Sequence, residues 1–210
     1  MMGARELAKE ALQKFLMTDC FIWRMPETEG CALTFDDGPH EIFTEKVLDL
    51  LARLGISATF FVVGDTALRA PGILRRIVRE GHAIGSHTFS HREFPDLSQD
   101  EFANELTRAR RTIKEAAGID TDLVRPPRGR INARSLFLAK KMRYRIVHWS
   151  KTYSDYLQDG AAPLIERMRS RGLDSGDIAL FHDTNLCTIE ALEVMLPEWL
   201  SQGRHFTTIR

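Results

Sequence analysis

Cysteine is scarce in this 210-residue chain: Cys20, Cys31 and Cys187 stand far apart, with no C-x-x-C pair among them. An odd, scattered set excludes a disulfide framework and a zinc knuckle and reads as reduced, buried thiols. An excess of either charge is also lacking. Lys plus Arg number 29 and Asp plus Glu number 29, which argues against a broad electrostatic footprint for nucleic acid or an anionic membrane. No apolar run approaches the length of a membrane span. The opening "ARELAKEALQKFLMTD" mixes charges into an apolar stripe of Leu7, Ala11 and Phe15. That spacing predicts a helix, not the unbroken apolar stretch of a secretion signal, so a cytoplasmic location is expected. Repeats, low-complexity segments and linkers are missing too. With 43% hydrophobic content, the chain can build one sizeable core and little else.

What is present is a steady alternation. Apolar runs that read as strands are "CALTF", "SATFFVV", "HAIGSH", "LVRPP", "RIVHW", "DIALFH" and "HFTTI". Between most of them lie amphipathic stretches with ordinary helix punctuation. "FTEKVLDLLARLG" ends at Gly55, "PGILRRIVREG" starts on a proline and ends at Gly81, and Ser98 with Glu101 forms a capping box that opens a helix closing at Gly118. "NARSLFLAKKM" begins at an Asn cap; "TIEALEVMLPEWLSQG" begins at a Thr cap and carries Pro197, which should kink or end it. Strand–helix alternation implies parallel pairing and an α/β domain. About seven strands can form an open doubly wound sheet or a closed barrel, and periodicity does not choose. In both, functional groups belong where strands end and loops begin.

The strand ends are where the unusual residues collect. The first apolar run stops in "LTFDDGPH", where Asp36 and Asp37 are followed at once by Gly38 and Pro39. Adjacent anions at the mouth of a core strand repel each other and are costly to desolvate, so a metal ion, an arginine or both should compensate; a solvated turn is the alternative. Later strands run into "SHTFSH" with His87 and His91, "RPPRG" from Arg125 to Gly129, "SKTYSDY" with Asp155 and Tyr156, and "LFHD" with His182. On one turn of helix His87 and His91 would lie roughly 6 Å apart, close enough to share a metal. Two His and one Asp make the open-sided ligand set of catalytic zinc, with a further Asp and His available to move protons.

These segments, "TFDDGP", "HTFSH", "R-P-P", the stretch from Trp149 to Asp155 and "LFH", occur in an order and spacing that resembles the five motifs of the polysaccharide deacetylase family, the NodB-homology domain of carbohydrate esterase family 4. The resemblance covers roughly residues 30 to 210, leaving residues 1–29 as an N-terminal helix and lead-in. It implies a distorted (β/α) barrel and a metal-dependent hydrolase that removes the acetyl group from an N-acetylated amino sugar. It further implies that Asp37, His87 and His91 hold Zn2+ or another divalent transition metal and that Asp36 is the general base. Arg125 would orient that base. His182 would be the general acid, held by Asp155. Tyr156 and Leu180 would wall the acetate pocket, with Pro127 and Arg128 at its rim.

The motifs depart from the family's usual form at three places. Arg128 stands where an aromatic is usual, and in the fourth motif Thr152 and Tyr156 replace an aspartate and a tryptophan. A guanidinium at the rim suits a phosphate or carboxylate. With no export signal read in the sequence, the expected substrate is an anionic, nucleotide-linked or lipid-linked N-acetylated sugar rather than a cell-wall polymer. Two rivals are hydrolysis of another amide, such as a formamide on a lipid-linked sugar or a small cyclic amide, and a non-catalytic carbohydrate-binding relative.

Overall fold

The computed structural model describes residues 20–210; the helix expected before them lies outside the described residues. Eight strands run parallel: β1 (Phe21–Ile22), β2 (Ala32–Asp36), β3 (Thr59–Val62), β4 (Ala83–Ser86), β5 (Leu123–Val124), β6 (Arg145–Val147), β7 (Lys151–Thr152) and β8 (Ile178–His182). They lie in the order β1-β6-β5-β4-β3-β2-β8-β7 and curl into a distorted (β/α) barrel. Around them pack α1 (Phe43–Leu54), α2 (Gly64–Arg69), α3 (Pro71–Arg79), α4 (Gln99–Ala117), α5 (Ala133–Lys141), α6 (Ala161–Arg171) and α7 (Leu186–Ser201).

Strand alternation sorts the side chains into two sets. Leu33, Phe35, Phe60, Val62 and Phe181 pack outward against apolar faces of the helices, among them Leu48 and Leu51 of α1 and Leu192 and Trp199 of α7. Ala32, Phe61, Leu123, Val147 and Ile178 point inward. Burial on both faces is why these strands read as continuous apolar runs instead of alternating ones. The caps expected from the sequence are present: Gly55 and Gly118 are left-handed, and Ser98 and Glu101 bond reciprocally.

Several expectations are corrected. "HFTTI" is not a strand: it makes one bridge, Cys31 to Phe206, and then crosses the barrel floor. There the Ile209 amide donates to Thr59 Oγ1 at 3.0 Å and its side chain joins the inner cluster. β1 and β7, two residues each, were not among the expected strands, whereas the equally short β5 was. The last long helix starts earlier than Thr188, with Asn185 accepting the Thr188 N–H at 2.9 Å. Pro197 does not end it, since the proline lies on the exposed face, where the freed carbonyl can meet water. Of the cysteines only Cys31 is buried, and all three are free thiols.

Parallel pairing puts every strand's C-terminal end on one rim. Asp36 and His182 are register partners there, as are Ser86 and Val124 one position before His87 and Arg125.

Candidate active site

The site begins with the end of β2. Thr34 and Asp36, two residues apart, share the inward face, and the chain then turns through Asp37 at φ 74°, a left-handed value that Asp tolerates better than most residues. Gly38 allows the turn: a Cβ there would lie 2.3 Å from Asp183 Oδ2. Its carbonyl accepts from the Val63 amide at 3.0 Å and Thr66 Oγ1 at 2.8 Å, which fixes the loop carrying Asp37.

Arg125, from the end of β5, reaches across the barrel with 0% exposure. Its Nη1 donates to Asp36 Oδ1 and to Thr34 Oγ1, each at 2.7 Å, and Nη2 donates to the His148 carbonyl at 3.0 Å. Thr34 can accept because its own proton goes to the Ala179 carbonyl, 2.7 Å away. The guanidinium sits 4.1 Å above the Phe61 ring, and that ring occupies space that a Cβ at Gly85 would take. The anions at the strand mouth are thus separated in fate. Asp36 is neutralised from inside the barrel, while Asp37 faces the opening.

Around Asp37 two imidazoles converge. Its Oδ1 lies 3.4 Å from His87 Nε2 and 3.2 Å from His91 Nε2. The ligand atoms of the three residues lie within 4.8 Å of one another. His87 Nδ1 is 2.9 Å from the Arg125 carbonyl. A carbonyl only accepts, so Nδ1 carries the proton and the Nε2 lone pair points at Asp37. Burial lowers the His87 pKa and keeps the ring neutral. Burial alone would raise the Asp37 carboxyl, but the His91 hydrogen bond and the charges of His182 and His91 outweigh it and lower it to about 2. A neutral imidazole with a lone pair aimed inward, a second imidazole and an ionised carboxylate fit a divalent transition metal. The helical geometry expected for this His pair is overturned: residues 87–91 form a loop with left-handed Thr88 and His91, and the rings lie 5.0 Å apart.

On the other side stands His182. Its Nδ1 donates to Asp155 Oδ1 at 3.0 Å, and its backbone amide to Asp155 Oδ2 at 2.7 Å. Thr188 Oγ1 completes the carboxylate's shell at 2.9 Å. Burial would lower the imidazole pKa, but the Asp155 hydrogen bond and charge outweigh it and raise the value to about 9. Nε2 is left facing Asp37 Oδ2 at 4.0 Å. Leu180, buried, lies two residues down β8 on the same face. Tyr156 is 59% exposed, its ring edge-on to His182 at 6.3 Å. Pro127 is buried; Arg128 is 75% exposed and pairs through Nη1 with Glu93 at 3.0 Å. Thr34 and Thr188 went unnoticed in the sequence. For Thr34 the signal existed, since it precedes Asp36 by two residues on a strand. Thr188 had none, because it reaches Asp155 only through the fold.

The sequence profile of the polysaccharide deacetylase family matches residues 24–147. A peptidoglycan-N-acetylglucosamine deacetylase of Bacillus cereus is 34% identical over 85% of this chain and 66% of its own length. The peptidoglycan-N-acetylmuramic acid deacetylase PdaA of Bacillus subtilis is 32% identical over 91% of this chain and 74% of its own. The chain therefore spans just under two thirds of the first of these relatives. A crystal structure of a peptidoglycan N-acetylglucosamine deacetylase bound to an N-hydroxybenzamide superposes with a TM-score of 0.88 at 30% identity, covering 95% of this chain and 94% of that one.

The buried Arg125–Asp36 pair predicts a large stability effect. Arg125→Leu leaves Asp36 without its cation and should destabilise the fold by about 3–5 kcal/mol, read from urea unfolding at neutral pH. A loss below about 1 kcal/mol, the range of exposed ion pairs, would contradict the geometry.

Proposed function

Because the chain belongs to the polysaccharide deacetylase family, we propose that it hydrolyses the N-acetyl amide of an amino sugar, with a divalent metal held by Asp37, His87 and His91. The observation that supports this reading is the different surroundings of the paired aspartates, Asp36 bonded to Arg125 and Asp37 facing His87 and His91, with His182 held by Asp155 opposite them. When bound, the metal would polarise the amide carbonyl and acidify water. Asp36 is the base: Arg125 occupies Oδ1, and Oδ2 is left 3.8 Å from His87 Nε2, facing the metal ligands. His182 is the acid. Its Nε2 proton goes to the departing amine nitrogen as the C–N bond breaks, giving acetate and the free amine. Leu180 and Tyr156 border the acetyl methyl.

The substrate class follows from the relatives' names and the rim. Both relatives named above are peptidoglycan deacetylases, which supports a peptidoglycan amino sugar as the N-acetylated substrate over the nucleotide-linked or lipid-linked sugar expected from the sequence; the expected anionic character is kept. Among the described residues no helix is long and apolar enough to cross a membrane. The rim favours one sugar over the other. N-acetylmuramic acid carries a lactyl carboxylate that N-acetylglucosamine lacks, and Arg128 offers an exposed guanidinium beside the site. Its Nη1 lies 3.0 Å from Glu93 Oε1, and an exposed guanidinium of this kind suits a carboxylate.

Acetate release from zinc-loaded protein, with muramic-acid-containing glycan strands and neutral chitin oligomers as substrates, tests both levels. Release is expected from both, faster from the carboxylated strands. Arg128→Tyr should narrow the difference through KM more than kcat, because the contact is remote from the amide. No acetate from any sugar would reject the function; equal rates unaffected by Arg128→Tyr would reject the carboxylate contact.

The pH profile tests the acid. With a pKa raised to about 9, His182 keeps its proton through neutrality and loses it as pH rises through that value, so activity should fall on the alkaline side. Asp155→Asn removes the charge that raises it, and the alkaline limb should move down toward the ordinary histidine value of about 6.5. An unmoved limb would assign it to another group.

A further inference from the structure

The loop between His87 and His91 is held by a carboxylate that the chemistry above does not use. Glu105, in the middle of α4, is buried, and none of its hydrogen bonds goes to a cation. Its Oε2 accepts from the Phe89 amide at 2.9 Å and the Ser90 amide at 2.8 Å, and its Oε1 accepts from Ser90 Oγ at 2.7 Å. From the other side, the first amides of α2 close the loop: Gly64 N donates to the Thr88 carbonyl and Asp65 N to the Phe89 carbonyl, each at 2.9 Å. Arg108, one turn along α4 from Glu105, lies 3.6 Å over the Phe89 ring.

The need for such a clamp is visible in the backbone. Thr88 and His91 are both left-handed, at φ 65° and 58°, and Thr is among the residues least suited to that region. Two such positions in a five-residue loop cost strain that contacts from outside the loop must offset. Glu105 takes two of the three amides lying between the histidines, and these amides point away from the ligand side. A buried carboxylate that spends its acceptors on loop amides sets where the loop's ends point.

We infer that Glu105 is a positioning residue for the metal site, fixing the 88–90 backbone so that His87 and His91 present Nε2 to the same point as Asp37. This inference rests on the metal reading of that trio. "SQDEFANEL" places this acid on the buried side of an otherwise amphipathic helix. An acidic side chain there is costly unless it has dedicated donors, and all its donors belong to this loop.

The test measures zinc affinity of the full chain by competition with a chromogenic chelator, alongside far-UV circular dichroism and thermal melting without metal. Glu105→Ala should raise the zinc Kd by roughly 10–100-fold, the usual effect of losing a residue that supports ligands. Glu105→Gln, which keeps one oxygen for the amide pair, should recover most of the affinity. Ser90→Ala removes one donor without touching α4 and should raise Kd severalfold; it decides the matter if Glu105→Ala does not fold. A melting loss with zinc Kd unchanged in the folded variants would make Glu105 a purely structural residue and overturn the inference. His87→Ala separates the two levels. If that variant binds zinc like the parent, the ligand assignment falls and the inference with it; if it loses zinc while Glu105→Ala and Ser90→Ala retain it, only the inference falls.

Discussion

The buried pair of Arg125 and Asp36 is the constraint around which the barrel interior is arranged. A guanidinium with no exposure needs partners for its nitrogens, and each of the three in Arg125 has one: Nη1 bonds Asp36 and Thr34, Nε the Val147 carbonyl and Nη2 the His148 carbonyl. That requirement brings the ends of β2, β5 and β6 together. It explains a threonine where an apolar residue would pack better, and a glycine at position 85 that lets Phe61 lie beneath the cation. The Arg125 carbonyl also sets the tautomer of His87. One residue therefore orients the proposed base through its side chain and a proposed ligand through its backbone.

The electrostatics follow from position more than from residue type. Three acidic side chains sit within one rim, and each is treated differently. Asp36 is answered by an arginine, Asp37 by three imidazoles, and Asp155 by an amide, a hydroxyl and one imidazole. A fourth, Asp183, has only the Thr44 hydroxyl and its own backbone amide on its hydrogen-bonding side, and burial pushes its carboxyl up to about 7. Asp37 and Asp183 show the contrast: imidazole partners lower one carboxyl, and burial with few donors raises the other.

Much of this was legible in the chain before any coordinates. Alternating apolar runs and helix punctuation imply a parallel α/β fold, and "DDGPH" at a strand mouth points to either a compensating cation or a solvated turn. What periodicity could not supply was closure. β1 and β7 were missed although the equally short β5 was read from "LVRPP", and "HFTTI" has a strand's composition but spends it in the barrel floor, where Ile209 fills the interior. The His87–His91 spacing pointed to a shared site for an incorrect geometric reason: the pair converges through a left-handed loop, not a helical turn. Thr188 and Glu105 were invisible because each acts across helices that only the folded chain brings near the rim.

In the proposed reaction the adjacent aspartates do different work, Asp37 holding the metal and Asp36 moving the proton. Paired measurement of zinc content and acetate release in Asp36→Asn and Asp37→Asn tests it most directly. Asp36→Asn should retain close to the parent's zinc and lose roughly two to four orders of magnitude in turnover, whereas Asp37→Asn should lose most of its zinc. If Asp36→Asn instead loses zinc and keeps normal activity per bound ion, the account of this site is wrong.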